Sequence, residues 1–174
     1  METKNIQFYF AGGEIPEHLR NVIKCFEKNS YHFDSEKFLK DIKSNYVLEK
    51  VREDLEKLGF TVETGKKSKE KIIFKIPTLY HEEIEFQADA YNYETKTIIE
   101  VEAGRAVINN QFLKDFYQAS VINECDYLVI AVKKLYRSSK SVGKDFEKVS
   151  KFMDGIFNNP RFIVPLKGIL IIGY

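Results

Sequence analysis

The chain has no tryptophan, only two cysteines and only three histidines in 174 residues. Cys25 and Cys125 lie far apart and form no CxxC pair. They are expected to be small, reduced, apolar residues of a cytoplasmic protein rather than part of a disulfide framework. His18, His32 and His81 show no zinc-ligand spacing. No apolar run approaches the ~20 residues that a membrane-spanning helix needs. The N-terminus, METKNIQFYFAGG, has no apolar core followed by a small-residue cleavage site, so no secretion signal is expected either. Charge of one sign is also lacking: 27 Lys and Arg face 26 Asp and Glu, a net +1. That balance does not announce a nucleic-acid binder, although a neutral protein can carry a locally basic cleft. Repeats, linkers and low-complexity tracts are missing too. What is present is 44% hydrophobic and 30% charged residues. This is the composition of one soluble globular domain, long enough to bury a real core.

Helical spacing dominates the first 60 residues. In EIPEHLRNVIKCFEKN, Pro16 opens a helix with Leu19, Val22, Ile23 and Phe26 on one face. Asp34 or Ser35 would cap a second helix through Phe38, Leu39 and Ile42. SNYVLEKVREDLEKLGF repeats Val47, Leu48, Val51, Leu55 and Leu58, and Gly59 stops it. From Phe60 the pattern turns to strands: FTVETGKK, a basic turn GKKSKEK, then KIIFKI ended by Pro77. EIEFQADAYNYETKTIIEVEAG reads as two strands about a polar turn at Glu94 to Lys96. NNQFLKDFYQASVI reads as a helix capped at Asn109 or Asn110. DYLVIAV reads as a central strand covered on both faces. A basic loop (KKLYRSSKSVGK), a helix (DFEKVSKFMDGIFNN) and a short buried strand (GILIIGY) finish the chain. The expected fold is α/β with a mixed central sheet, antiparallel at its start and crossed over by a helix later.

Side chains alternate along a strand, so Glu100 and Glu102 in TIIEVEAG share a face while Ile99 and Val101 point into the core. In FQADAYN the same alternation puts Gln87, Asp89 and Tyr91 on one face, with Ala88 and Ala90 on the other. Paired through the turn, these strands bring Asp89 opposite or diagonal to the glutamates. Alternating E-x-E is common on a solvated sheet face. A strand flanked by a helix and a second apolar strand is central, however, and carboxylates there repel strongly without a cation. Hard oxygen ligands of this kind suit magnesium or manganese.

Asp89, then Glu100-Val101-Glu102, then a helix and an apolar strand, resembles the PD-(D/E)XK nuclease superfamily. Asp89 matches the family's first acid and Glu100 its second. Glu102 stands where lysine is usual, as in the D…ExE variant of BamHI-type restriction enzymes; BglII-type enzymes place glutamine there. Ala88 replaces the proline of the motif. The resemblance spans residues 45–132 and implies a restriction-endonuclease-like, three-layer core with helices flanking a mixed sheet. Residues 1–44 would then be a helical N-terminal extension and 133–174 a C-terminal helix and strand of the same domain. It further implies a helix glutamate ahead of the first strand, for which Glu49 is the match and Glu53 the alternative. Either glutamate is also explained by a solvated helix face with i,i+4 ion pairing, such as Glu53 with Lys57.

The implied activity is Mg2+-dependent (or Mn2+-dependent) hydrolysis of DNA, in a restriction or defence enzyme or a junction resolvase. Asp89 and Glu100 would hold the ion, and Glu102 would act as general base, orient the water or join a second ion's ligands. Lys114 on the following helix would supply the missing cation, with Gln111 and Gln118 as weaker candidates. Arg105, Lys67, Lys133, Lys134 and Arg137, with the other lysines of the two basic loops, would grip the DNA backbone. Cutting both strands implies a homodimer. Two other readings stay open: a catalytically silent module that binds DNA or a protein, and a metal-free hydrolase using a carboxylate dyad. The lack of tryptophan gives the last no supporting pocket signal.

Overall fold

The computed structural model describes residues 5–9, 13–38, 42–64, 71–80, 82–104, 106–107, 109–137 and 142–174. In chain order the elements are β1 (Ile6–Tyr9), α1 (Glu17–Asn29), α2 (Ser44–Lys57), β2 (Thr61–Val62), β3 (Ile72–Pro77), β4 (Glu83–Ala88) and β5 (Ala90–Asn92). They continue with β6 (Thr97–Glu102), α3 (Gln111–Val121), β7 (Tyr127–Val132), β8 (Tyr136–Arg137), β9 (Val142–Gly143), α4 (Asp145–Phe157) and β10 (Gly168–Gly173).

The helices form where apolar residues recur every three or four positions. α2 buries Val47, Leu48, Val51 and Leu55 on one stripe. It ends because Gly59 adopts a φ of 85°, open to glycine at little cost, so that the N–H of Phe60 turns back to the Leu55 carbonyl at 3.1 Å. The central sheet has the order β1-β10-β7-β6-β5-β2. β6, β7 and β10 run parallel, joined by α3 and α4 as crossovers. β5 and β2 add antiparallel on one side, and β1 closes the other edge antiparallel to β10. Alternate residues of β6, β7 and β10 enter two cores. Ile99, Val101, Val129, Ala131, Leu170 and Ile172 pack under α1 and α2. Ile98, Leu128, Ile130, Val132, Ile169 and Ile171 pack under α3 and α4. The result is a three-layer α/β arrangement with a mixed central sheet, and β6 lies inside it as expected.

Four local expectations are corrected. The N-terminal region is not a helical extension: β1 pairs with β10, and α1 sends Leu19, Val22 and Phe26 into the same core as α2. No regular helix forms over Asp34–Phe38, and Leu39 lies outside the described residues. A 3-10 turn at Ser30–His32 leads into further turns because Phe33 is fully buried, edge-on to both Phe26 and Tyr174. The strand after Phe60 is shortened to Thr61–Val62, and β3 pairs with β4 as a separate two-stranded ribbon. Finally, FQADAYN is two strands, not one. β4 belongs to the ribbon and β5 to the main sheet, with Asp89 at the break. Ala88 and Ala90 therefore enter opposite cores instead of sharing a face.

Candidate active site

The break at Asp89 creates the site. The β5–β6 ladder runs from Asn92↔Thr97 to Ala90↔Ile99 and stops there, because the chain leaves the sheet. Val101 N–H then donates to Asp89 Oδ2 at 2.8 Å. The carboxylate takes the place of the strand carbonyl that an uninterrupted ladder would offer. The other side of Asp89 is fixed by its own carbonyl, which accepts the Glu63 N–H at 2.8 Å. On β6, Ile98 points into the α3–α4 core, so Glu100 and Glu102 point to that side as well. Both lie at the carboxyl end of a parallel strand, where open α/β sheets present their crevices. The Tyr174 hydroxyl anchors this end by donating to the Glu102 carbonyl at 2.9 Å.

A fourth acid, outside the sequence motif, completes the group. Asp115 on α3 is only 6% exposed. It shares the buried helix face of Phe112, Phe116 and Ala119, and its Oδ2 has no hydrogen-bond donor. With both groups ionised, Glu102 is an acceptor too, so the Glu102–Asp115 contact becomes a hydrogen bond only when one of them holds a proton.

All four acids are electrostatically strained in the same direction. Burial pushes Asp89 up to about 7, and the charges of Glu63 and Glu102 add to that, while the Val101 N–H pulls back. Asp115 is driven up to about 8 by burial and by Glu102, with Lys114 opposing. Glu100 sits well above the ordinary carboxylate range because it is partly buried and feels the charges of Asp89, Asp115 and Glu102. Glu102 is raised by burial, against the contact with Asp115 and the charge of Lys114. Lys114 itself is exposed, yet near enough to favour the ionised forms of Glu102 and Asp115. Gln111 is half-buried and Gln118 buried on the same helix.

Among the described residues, no three Asp, Glu, His or Cys side chains are gathered as a ready-made metal cage. The four carboxylates share one electrostatic site without forming a closed ligand set. Their chemistry nevertheless fits a hard cation: all the donors are oxygens, and one buried oxygen of Asp115 is orphaned.

The remaining expected residues divide clearly. Glu49 is exposed and pairs with Lys50 at 3.1 Å, while Glu53 pairs with Lys57 at 2.7 Å. Glu49 lines a cavity of about 290 Å³ with Asn45, Arg52 and Glu63. Glu63, rather than Glu49, is the acid on that side whose charge reaches Asp89. Three of the expected DNA-contacting cations are engaged within the chain. Lys133 is 4% exposed, with its ammonium 5.6 Å from the Tyr136 ring centroid. Lys134 bridges Asp34 at 2.9 Å and Glu36 at 2.8 Å. Arg137 donates to the carbonyls of Ser35, Phe38 and Glu36. Lys66, Lys67, Lys69, Arg105 and Lys140 lie outside the described residues. Beside the site, a Cβ on Gly104 would meet the Tyr136 ring at 3.0 Å, so the close packing of the β8 tyrosine calls for glycine there.

Two residues were missed by pattern reading, Glu63 and Asp115. For Asp115 the signal was present: an aspartate at i+3 from Phe112 in an otherwise apolar helical stripe. Comparison with known proteins adds no assignment. The chain matches no protein-family model, and no curated protein matches its sequence.

Proposed function

We propose that the chain is a divalent-cation-dependent phosphodiesterase acting on DNA, with a restriction-endonuclease-like core. One observation carries the reading: a central, parallel strand ends in two carboxylates that lie within electrostatic reach of Asp89, at a strand break, and of Asp115 on the covering helix, with Lys114 the one cation felt there among the described residues. Like charges held this close in partly desolvated positions are unfavourable on their own, and a cation is the simplest remedy. With the β3–β4 ribbon as an insertion after β2, the order α2, β2, β5, β6, α3, β7 is also compatible with the layout expected of that core.

Asp89 and Glu100 would hold the cation, with Mg2+ or Mn2+ matching their oxygen donors. When bound, the ion polarises the phosphoryl group and lowers the pKa of a bound water. Glu102, whose proton affinity burial has raised, accepts the proton of the attacking water. Water oxygen would bond to phosphorus, the bond to one ester oxygen would break, and that oxygen would take a proton from solvent, giving a phosphate monoester and a free hydroxyl. Lys114 supplies positive charge beside the reacting phosphate. A two-fold pair of subunits would present one such site to each strand of a duplex.

The test uses supercoiled, linear and branched DNA with magnesium, manganese or EDTA, beside an Asp89→Ala control. Metal-dependent cutting that the variant loses is the expected result. Glu102 in place of lysine favours one other reading, a catalytically silent DNA- or protein-binding module. DNA retained without cutting under every metal condition would select it.

A further inference from the structure

We infer that the exposed aromatic cluster of Tyr31, His32 and Tyr46, with Lys50 among them, is a stacking surface for unpaired bases, so that the substrate is a nucleic acid carrying a single-stranded stretch, such as a tailed or branched duplex. This names the substrate class of the phosphodiesterase reading and rests on it. Tyr31 is 64% exposed and Tyr46 is 39% exposed. They come from different elements, the turn after α1 and the first turn of α2. The Tyr31 and His32 rings lie 3.9 Å apart. The Lys50 ammonium joins the two tyrosines: it stands 5.0 Å from the Tyr46 ring centroid and within electrostatic reach of the Tyr31 hydroxyl. One of its N–H groups goes to Glu49 at 3.1 Å, which leaves the others for a phosphate oxygen. Lys43, one residue ahead of α2, is exposed as well.

The cluster lies toward the carboxylate end of the sheet. Asn45, Glu49 and Arg52 of α2 line one cavity with Glu63 and Thr64, and the Glu63 N–H donates to the Asp89 carbonyl. Tyr46 therefore belongs to the end of α2 that borders Asp89. A tyrosine that serves the fold hides its ring and ties down its hydroxyl, as Tyr9, Tyr91 and Tyr174 do here with the carbonyls of Ser150, Glu124 and Glu102. Tyr31 and Tyr46 leave ring surface in water instead. Bases of any sequence stack on such rings, and a neighbouring cation adds to the hold. Bases inside a duplex are already covered by their neighbours, so unpaired ones are selected. A protein partner is the poorer match, because lysine is depleted at the centre of protein interfaces.

The test is fluorescence anisotropy of labelled DNA in EDTA, so that nothing is cut. The probes are a blunt duplex and the same duplex with a tail of about ten thymidines. Wild type is expected to bind the tailed probe at least about tenfold more tightly than the blunt one. The double variant Tyr31→Ala with Tyr46→Ala is expected to lose that preference while binding the blunt duplex as the wild type does. Tyr31→Phe with Tyr46→Phe should keep it, because stacking needs the ring and not the hydroxyl. Tyr93→Ala is the control: Tyr93 is 69% exposed, but it lies in the β5–β6 turn, at the opposite end of β6 from the carboxylates. Photo-cross-linking of a 5-iodouracil tail to the unaltered protein guards against a variant that fails to fold, and cross-links at Tyr31, His32 or Tyr46 are expected. Equal wild-type binding of the two probes, an alanine variant that keeps the preference, or cross-links that spare all three residues overturns the assignment, even if DNA is cut. A tail preference that depends on the two rings, without cutting under any metal condition, upholds the stacking surface and removes the nuclease reading. A wild type that binds neither probe overturns both.

Discussion

Two charge-rich regions of this protein handle burial in opposite ways. Around the turn at Asp34–Phe38, the described charges meet complementary groups: Lys134 sits between Asp34 and Glu36, and Arg137 donates to three backbone carbonyls. At the end of β6, four carboxylates share one electrostatic neighbourhood, with only Lys114 in support among the described residues. Charges that serve the fold are neutralised within the chain. Carboxylates clustered and desolvated near a strand end are costly when ionised, and that imbalance is what the proposed cation site rests on.

The sharpest way to break the comparison is to remove a member of each region. Glu100→Gln or Asp89→Ala should lower the initial rate of metal-dependent DNA cleavage by about a thousandfold. Metal-free thermal unfolding of Glu100→Gln should be unchanged or slightly higher, since a repelling charge is gone. Lys134→Met should do the reverse. It leaves Asp34, whose side chain is 12% exposed, with the longer 3.6 Å contact to the exposed Lys37 in place of the 2.9 Å bridge. The expected cost is about 2 kcal/mol, or a melting temperature lower by roughly 4–8 °C, with cleavage intact once the protein is folded.

The pH dependence should also differ in sign. Asp89 and Asp115 hold protons in the folded state up to about 7 and about 8, whereas unfolded they release them near the ordinary 3.8. Between those limits the folded protein binds more protons than the unfolded chain. Their contribution is therefore favourable in acid and is lost as pH rises from about 4 to about 8. At Asp34 burial works upward, but Lys134 and the Glu36 N–H outweigh it and leave the group below 3.8. Its contribution is present above 3.8 and lost as pH falls through its lower folded value. Melting curves of metal-free wild type between pH 5 and pH 8 should show stability declining toward pH 8, and Asp115→Asn should flatten that slope. A slope unchanged in the variant would mean Asp115 is not the buried acid described. The smallest effect belongs to the exposed Glu53–Lys57 pair, where Glu53→Gln should leave both melting temperature and cleavage unchanged.

Much of this contrast was legible in the sequence, and the reasons are local. E-x-E inside an apolar strand flagged Glu100 and Glu102, because period-two alternation needs only a few residues. The spacing of apolar residues placed α2, α3 and α4 in the same way. Asp89 was assigned to a site, but the break beneath it was not visible: which sheet each half of FQADAYN joins is set by partners elsewhere in the chain. β1 was hidden for a similar reason, since four residues, Ile6–Tyr9, carry too little pattern until β10 pairs with them. Basic residues proved hardest to read. Lys133, Lys134 and Arg137 look like a phosphate-binding run, yet Lys134 and Arg137 find their partners about a hundred residues earlier, at Asp34–Phe38. Asp115 went unread because a single acid in a helix is ordinary; its neighbours at 112 and 116 were the clue.

The most direct measurement is calorimetric titration of metal-free wild type and Glu100→Gln with Mn2+ near pH 7.5. Saturable binding to the wild type, weakened at least about tenfold in the variant, is the expected result. No binding to the wild type, or equal binding to both proteins, would contradict the view that the carboxylates at the end of β6 are built for a cation.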